Sequence, residues 1–468
     1  MSGLKFHIPD SWKLSKLPDI AEINMGQSPS SSDVNEHGEG MVFFQGKAEF
    51  GKLYPIPRKY CTKPTKTASA GSILLSVRAP VGPTNIATQT TAIGRGLAAI
   101  SACDGLTDPK YLLYYFRYIE PWLSTQGTGS TFKAISGTFI KELVAPTTSF
   151  YEQKILAEKL DTLLAQVDST KIRLEQIPKI LKRFRQAVLA AAVSGKLTES
   201  FRAKSNYSII NLHLSKISKE VCYAKSWTQC LLKDCCNIIS GNAFKSSDFT
   251  EGVGIPVIKI SNIQYGQFEI KNQQFLPSDF QCIFNSFEVR AGDILMALTR
   301  PITNNTLKVC RYPQGQTAGL LNQRVCKFIF KNNINTNFFE LLFQSDYFKL
   351  QVEDNLSETL QPNLSPNDLK NFMIFLPPLP EQQEIVRRVE QLFAYADTIE
   401  KQVNSALDRV NNLTPSILAK AFRGELTTQW RAENPDLISG ENSATALLEK
   451  IKADRAASGS KKASRKKT

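Results

Sequence analysis

An α+β fold, arranged as a tandem repeat of two mixed α/β globular domains separated by two long helices, is predicted by three observations. A helical stretch recurs. Residues 152–198 read EQKILAEKLDTLLAQVDSTKIRLEQIPKILKRFRQAVLAAAVSGKLT, and residues 381–427 align with them without a gap at an offset of 381 − 152 = 229. Each copy carries an apolar seam whose steps alternate four and three. Before each copy the chain is cut by Gly and Pro into short apolar runs, and these two stretches echo one another weakly.

The seam of the first copy runs Leu156, Leu160, Leu163, Val167, Thr170, Leu174, Ile177, Leu181, Phe184, Val188. The matching positions are Ile385, Val389, Leu392, Ala396, Ile399, Val403, Ala406, Val410, Leu413 and Ile417, all apolar. A 3.5-residue period sustained over several heptads is the coiled-coil pattern. One such helix alone leaves its stripe in water. The second copy is a partner of equal length, so the two are expected to pack as an antiparallel coiled coil with pseudo-twofold symmetry. Pro178 lacks an amide donor and is expected to kink or split the first helix.

The order along the chain follows. Residues 1–150 read as a first domain of short strands, with runs at Met41–Phe44, 72–77 and 96–100 and a short helix over 109–118. Residues 151–200 form the first helical region. Residues 201–225 are polar and mixed, a connector with at most a short helix. Residues 226–380 form the second globular domain, 381–433 the second helical region, and 434–468 a basic, largely disordered tail with one helical run at 444–452. The two globular domains share sparse marks. Ser11-Trp12 and Gly26 match Ser226-Trp227 and Gly241, Ala70-Gly71-x-Ile73-Leu74 matches Ala291-Gly292-x-Ile294-Leu295, and Ser136 with Ile140-Lys141 matches Ser365 with Leu369-Lys370. Their offsets are 215, 221 and 229, a stepwise growth that loop insertions in the second copy would produce.

Composition narrows the function. A hydrophobic content of 42% and a charged content of 21% are ordinary for a globular chain, and 468 residues suffice for about three domains. The net charge of +14 favours a polyanionic partner. Nine cysteines without metal spacing read as reduced thiols of a cytoplasmic protein. The opening MSGLKFHIPDSWKL has no apolar core of signal-peptide length, and no run of about 18 apolar residues occurs.

No catalytic or metal-ligating constellation is visible. His7, His37 and His213 are scattered, and no phosphate-binding GxxxxGK[ST] loop occurs. The Gly127-Thr128-Gly129-Ser130 stretch reads as a loop. What remains is recognition. Polar and basic residues beside Gly turns are candidates to reach base edges and phosphates: Gln27, Ser28, Gln45, Lys47, Arg78, Arg95 and Lys133 in the first domain, and Asn242, Lys245, Lys259, Asn262, Arg300, Arg324 and Gln361 in the second. Each is also readable as an ordinary solvated side chain. Arg78 and Arg300 stand out, because both follow the matched Ile-Leu strand and both lie within two residues of a proline, Pro80 and Pro301. A coiled-coil scaffold with two protein-binding domains is the competing reading.

The helical copies, and the stretch from EIVRRVEQLF to DLISGENS after 384, resemble the specificity subunit of type I restriction–modification enzymes, in the enterobacterial family with this central helix. The Gly-Asp-Ile-Leu strand at 292–295 resembles its target-recognition domains. The family's Pro-Leu-x-Glu-Gln lead-in stands at 378–382, whereas the first copy reads Thr-Ser-Phe-Tyr-Glu-Gln at 148–153, a departure at the first junction. The resemblance implies a non-catalytic subunit with two target-recognition domains, each reading half of a split, asymmetric DNA site. The conserved helical regions act as a spacer between them. It also implies two modification subunits that carry S-adenosylmethionine and two ATP- and Mg-dependent restriction subunits, with no cofactor on this chain. Two similar readers related by a twofold axis would meet DNA as an inverted pair, centred about 10 base pairs or a near multiple apart.

Overall fold

In the computed structural model the chain forms two compact units, residues 1–175 with 405–468, and residues 176–404. The structure describes residues 5–127, 134–202, 206–213, 218–271 and 273–464. Lys133, the loop residues Thr128, Gly129 and Ser130, and the last four residues of the basic tail lie outside the described residues.

In the first unit an antiparallel sheet is ordered Ala21–Met25, Leu97–Ala102, Ile73–Ser76, Thr84–Ile86. A second sheet of five short strands contains Met41–Phe44, which pairs in parallel with Thr91–Ile93. The strand Ile73–Ser76 is buried throughout. Ile73 and Leu75 join one apolar cluster while Leu74 joins another, so both faces are covered. That explains an unbroken apolar run where a half-exposed strand would alternate. The helix Pro109–Gln126 starts on Asp108, whose side chain accepts from the Tyr111 amide at 2.9 Å, with Pro109 at the first helical position. It outruns the expected 109–118 because Ile119 and Leu123, both buried, carry its apolar face onward.

The second unit repeats this plan. Its sheet is ordered Cys236–Ser240, Val325–Phe330, Ile294–Ala297, Val309–Arg311, and Ile255–Ile258 pairs in parallel with Gly319–Leu321. The sparse sequence matches acquire physical causes. Gly71 and Gly292 turn into the central strand at φ 83° and 94°, where a side chain would be strained. Ser136 and Ser365 cap the short helices Gly137–Lys141 and Pro366–Lys370 by accepting from the Phe139 and Asn367 amides.

The long helices are Phe150–Ser194 and Leu379–Phe422. Of the kink or split expected at Pro178, the split does not occur, and the helix runs on through the proline. Pro178 is exposed, and one lost backbone bond does not end a helix packed on both flanks. The helices run antiparallel within each unit. In the first unit Leu156 and Leu160 share a core with Leu418, Ala421 and Phe422. In the second, Val188 and Ala192 share one with Ile385, Val386 and Val389. There Arg185 also bridges Asp397 and Glu400 of the opposite helix at 2.7 and 2.9 Å.

These cores also contain the sheets, so the helix ends are inserted into the globular domains rather than packed only on each other. Toward the helix centres Val167, Leu181, Val403 and Val410 are 6–8% exposed, while Leu163, Leu174, Leu392 and Ile399 are half-buried. A seam residue covered from one side only leaves an edge in solvent. Leu413 is 43% exposed and lies off the buried stripe. Beside the half-buried Leu163, it is Leu164 that joins the first core. Leu160→Ala, at a fully buried site, is therefore expected to destabilise the first unit by about 2–5 kcal/mol in urea unfolding, and Leu163→Ala by clearly less.

Two expectations are overturned. The stretch 201–225 is not a bare connector. It contains an antiparallel hairpin, Tyr207–His213 with Ser218–Ala224. Ile210, Val221 and Tyr223 lie on one face and pack on the second core, an alternation hidden by the polar residues between them. The tail is not largely disordered, because its helix runs Ala444–Ser464. Leu447 and Ile451 sink into the first core, and the Arg455 guanidinium donates to the carbonyls of Pro18 and Ala21. All nine cysteines are free, with the Cys230 and Cys235 sulfurs 3.5 Å apart. Among the described residues no helix is long and apolar enough to cross a membrane.

Candidate nucleic-acid interface

In the first unit the loops that follow the parallel strand pair collect four of the candidate residues. Gln27 is tethered by its amide to the Ile93 carbonyl at 3.1 Å. The Gln45 amide donates to Ser28 Oγ at 2.9 Å, and the Arg95 backbone amide donates to the same hydroxyl at 3.3 Å. With Asn35 and Lys59, which sequence reasoning did not single out, Ser28, Gln45 and Arg95 line an open cleft of about 560 Å³. A Cβ on Gly94 would lie 2.4 Å from Gln45 Oε1, so glycine there lets the glutamine fold in.

The second unit presents the same frame with other groups. The Asn242 amide donates to the Leu321 carbonyl at 2.9 Å, as Gln27 does to Ile93. Lys259 follows its parallel strand as Gln45 follows the first. Its ammonium lies over the Phe249 ring at 5.4 Å and donates to Gln274, and burial lowers its pKa. The corresponding positions thus offer an amide in one domain and an ammonium in the other, groups suited to adenine and guanine edges respectively.

Other candidates are placed less alike. Arg78 is exposed and bridges to Ala134, but the residue bridged to the corresponding Asn363 is Thr299, so Arg300 stands one position later. Arg300 is at φ 45°, its amide bound to the Pro362 carbonyl beside the exposed Gln361. Arg324 is exposed, and its carbonyl accepts from Leu298 as that of Gly96 accepts from Val77. Lys47 and Lys245 are exposed at the starts of short 3-10 turns. Asn262 is removed from the surface. It is 1% exposed, and its amide is spent on the Lys259 amide and the Glu269 carbonyl.

Each domain is locked to the helices by a buried clamp. Glu152 accepts from Trp12 Nε1 (2.9 Å), Thr148 (2.5 Å), Thr427 (2.6 Å) and Arg431 (2.7 Å). At the offset of 229, Glu381 accepts from Thr198 (2.8 Å) and Arg202 (2.5 Å). A cation from the next helical turns seals each clamp, as Lys159 donates to the Leu426 carbonyl and Arg388 to that of Leu197. The adjacent glutamines behave alike. Gln153 accepts from Asp108 N and donates to the Thr148 carbonyl, and Gln382 accepts from Asn335 N and donates to the Pro377 carbonyl. The departure seen at residues 148–153 is therefore one of residue type and not of geometry. The glycines of the repeated Gly-x-Leu-Thr sit at φ 80° and 74°, and a Cβ on Gly424 would fall 2.4 Å from Pro9 Cγ. Arg202 and Arg431 were missed in the sequence, although they share the offset four residues beyond the matched threonines.

The family model for the type I restriction modification DNA specificity domain matches residues 9–179 and again 224–409. The chain belongs to this family. It is 37% identical to the EcoBI specificity subunit of Escherichia coli, across 98% of this chain and 96% of that protein. It is 47% identical to the EcoKI specificity subunit of Escherichia coli (strain K12), across 74% of this chain and 71% of that one. The crystal structure of an HsdS subunit from Thermoanaerobacter tengcongensis shares the fold at a TM-score of 0.60 and 17% identity, covering 91% of this chain and 100% of that chain. As a specificity subunit, the chain carries two tandem DNA specificity domains, one in each unit.

Proposed function

We propose that this specificity subunit reads a bipartite, asymmetric DNA site, one domain per half-site, and so dictates where a type I restriction–modification complex methylates adenine or cuts unmodified DNA. The observation that carries the reading is the equivalence of Gln27 with Asn242 and of Gln45 with Lys259, two readers on one frame with different side chains. The same frame gives the same approach to DNA, and the different groups give different half-sites. In this reading Gln27, Ser28, Gln45 and Arg95 in one domain, and Asn242 and Lys259 in the other, are the groups that meet base edges. Lys47, Lys245, Arg78, Arg300, Arg324 and Gln361 then seat the flanking backbone, their exposure being what supports this role.

The chain itself is non-catalytic in this reading. Two modification subunits supply S-adenosylmethionine chemistry, and two restriction subunits supply the ATP- and Mg-dependent nuclease, all in the cytoplasm. The net charge of +14 serves the phosphate term common to all sequences, while the groups at the two sets of turns supply discrimination. The long helices act as the spacer that sets the unread gap.

Exchange of residues 1–149 for the first domain of a relative is expected to change one half-site and leave the other intact, as read by sequencing methylated adenines in cells. A change in both half-sites would contradict modular reading. Absence of any sequence-specific methylation in the assembled complex would favour the scaffold reading.

A further inference from the structure

We propose that Asp161 and Asp168, on the first long helix, are positioning residues that fix the angle of the first reading domain on that helix, and through it the gap the complex accepts. The inference rests on the proposed function. It starts from the loop at residues 47–56, which leaves the cleft two residues after Gln45. Asn85, 1% exposed, holds this loop from below, accepting from the Gly51 amide at 3.0 Å and donating to the Gly51 carbonyl at 3.1 Å. From the side, Lys52 Nζ reaches Asp168 at 2.6 Å, and Arg117 donates to the Lys52 carbonyl at 3.1 Å. One turn earlier on Arg117's helix, Tyr114 donates its hydroxyl to Asp161, and Lys110 reaches the second oxygen of the same carboxylate at 2.5 Å. The reading loop, the helix Pro109–Gln126 and the long helix are thus joined by two carboxylates.

Their distance from the clamp gives them leverage. At ~1.5 Å per residue, Asp161 and Asp168 stand about 13 and 24 Å along the helix from Glu152. The buried clamp at Glu152 acts as the pivot, and a contact far from a pivot resists tilt more than an equal contact beside it. Among the described residues the second unit does not repeat this arrangement at the matching aspartate. Asp397, the counterpart of Asp168 at the offset of 229, is bound by Arg185 of the opposite long helix at 2.7 Å instead of by a reading loop. The brace therefore belongs to the first domain.

The test uses the full chain assembled with its modification subunits and a genome-wide count of methylated sites. In Asp161→Asn/Asp168→Asn, both half-site sequences are expected unchanged, while sites with a gap one base pair longer or shorter rise about fivefold over wild type, the scale of two exposed ion pairs. Lys52→Asp combined with Asp168→Lys is expected to restore the wild-type gap. A merely structural role would lower the melting temperature without touching the gap. Should the double aspartate variant fail to assemble, Lys52→Ala on the exposed loop asks the same question. An unchanged gap distribution in an assembled variant, or altered half-site letters at the original gap, would overturn the proposal. Absence of sequence-specific methylation by the wild-type complex would instead sink the reading on which it rests.

Discussion

Arg431→Ala is expected to lower the stability of the first unit by about 3–5 kcal/mol, because it strands a buried carboxylate. Glu152 is 0% exposed, and among the described residues Arg431 is the cation within ion-pair distance of it. Without the guanidinium, Trp12, Thr148 and Thr427 still donate to Glu152 but bring no charge. Arg202→Ala is expected to do the same to the second unit, where Arg202 meets Glu381 with side-chain exposures of 7% and 4%. Urea unfolding followed by a probe in each unit separates the two effects. Glu152→Gln with Arg431→Met, which removes both charges, is expected to cost much less than Arg431→Ala alone, since desolvating an ion pair offsets most of its attraction. An Arg431→Ala variant that unfolds like wild type would show that the clamp does not hold the domain.

The clamps also explain what was and was not legible in the sequence. The long helices were readable because a seam at period 3.5 persists through both copies, and the Glu-Gln and Gly-x-Leu-Thr marks were visible as repeats. That a glutamate at the start of one helix meets a threonine and an arginine 275 and 279 residues away was not, because nothing local encodes a partner so distant. The repeat itself held the clue, since Arg202 and Arg431 obey the same offset as the threonines. The hairpin at Tyr207–His213 was masked by composition, its alternation being short and half polar.

The turns that carry Ser28, Gln45 and Arg95 were legible in the sequence, because Gly residues mark them; that the three side chains share one cleft was not. Asn262 misled because a capping asparagine and a base-reading asparagine look alike until its burial and partners are known. That Arg78 corresponds to Thr299 and not to Arg300 follows from the bridges from Arg78 to Ala134 and from Thr299 to Asn363, a correspondence between distant segments that nothing local encodes.

If two readers on one frame are spaced by the paired helices, lengthening both helices at once moves the readers apart. One heptad inserted after Glu175 and another after Asn404 enter where the chain passes between the two units, and seven residues keep both seams in phase. At ~1.5 Å per residue the spacer grows by about 10 Å, close to three base pairs of B-DNA at ~3.4 Å each. Both clamps and both sets of candidate reading residues lie outside the inserted stretches. The measurement is genome-wide sequencing of methylated adenines in cells carrying the doubly extended chain with its modification subunits. The expected result is both half-sites unchanged in sequence, separated by a gap longer by about two to three base pairs, with little methylation at the original spacing. Full methylation at the original gap would contradict the account, because the readers would then be spaced by something other than the helices.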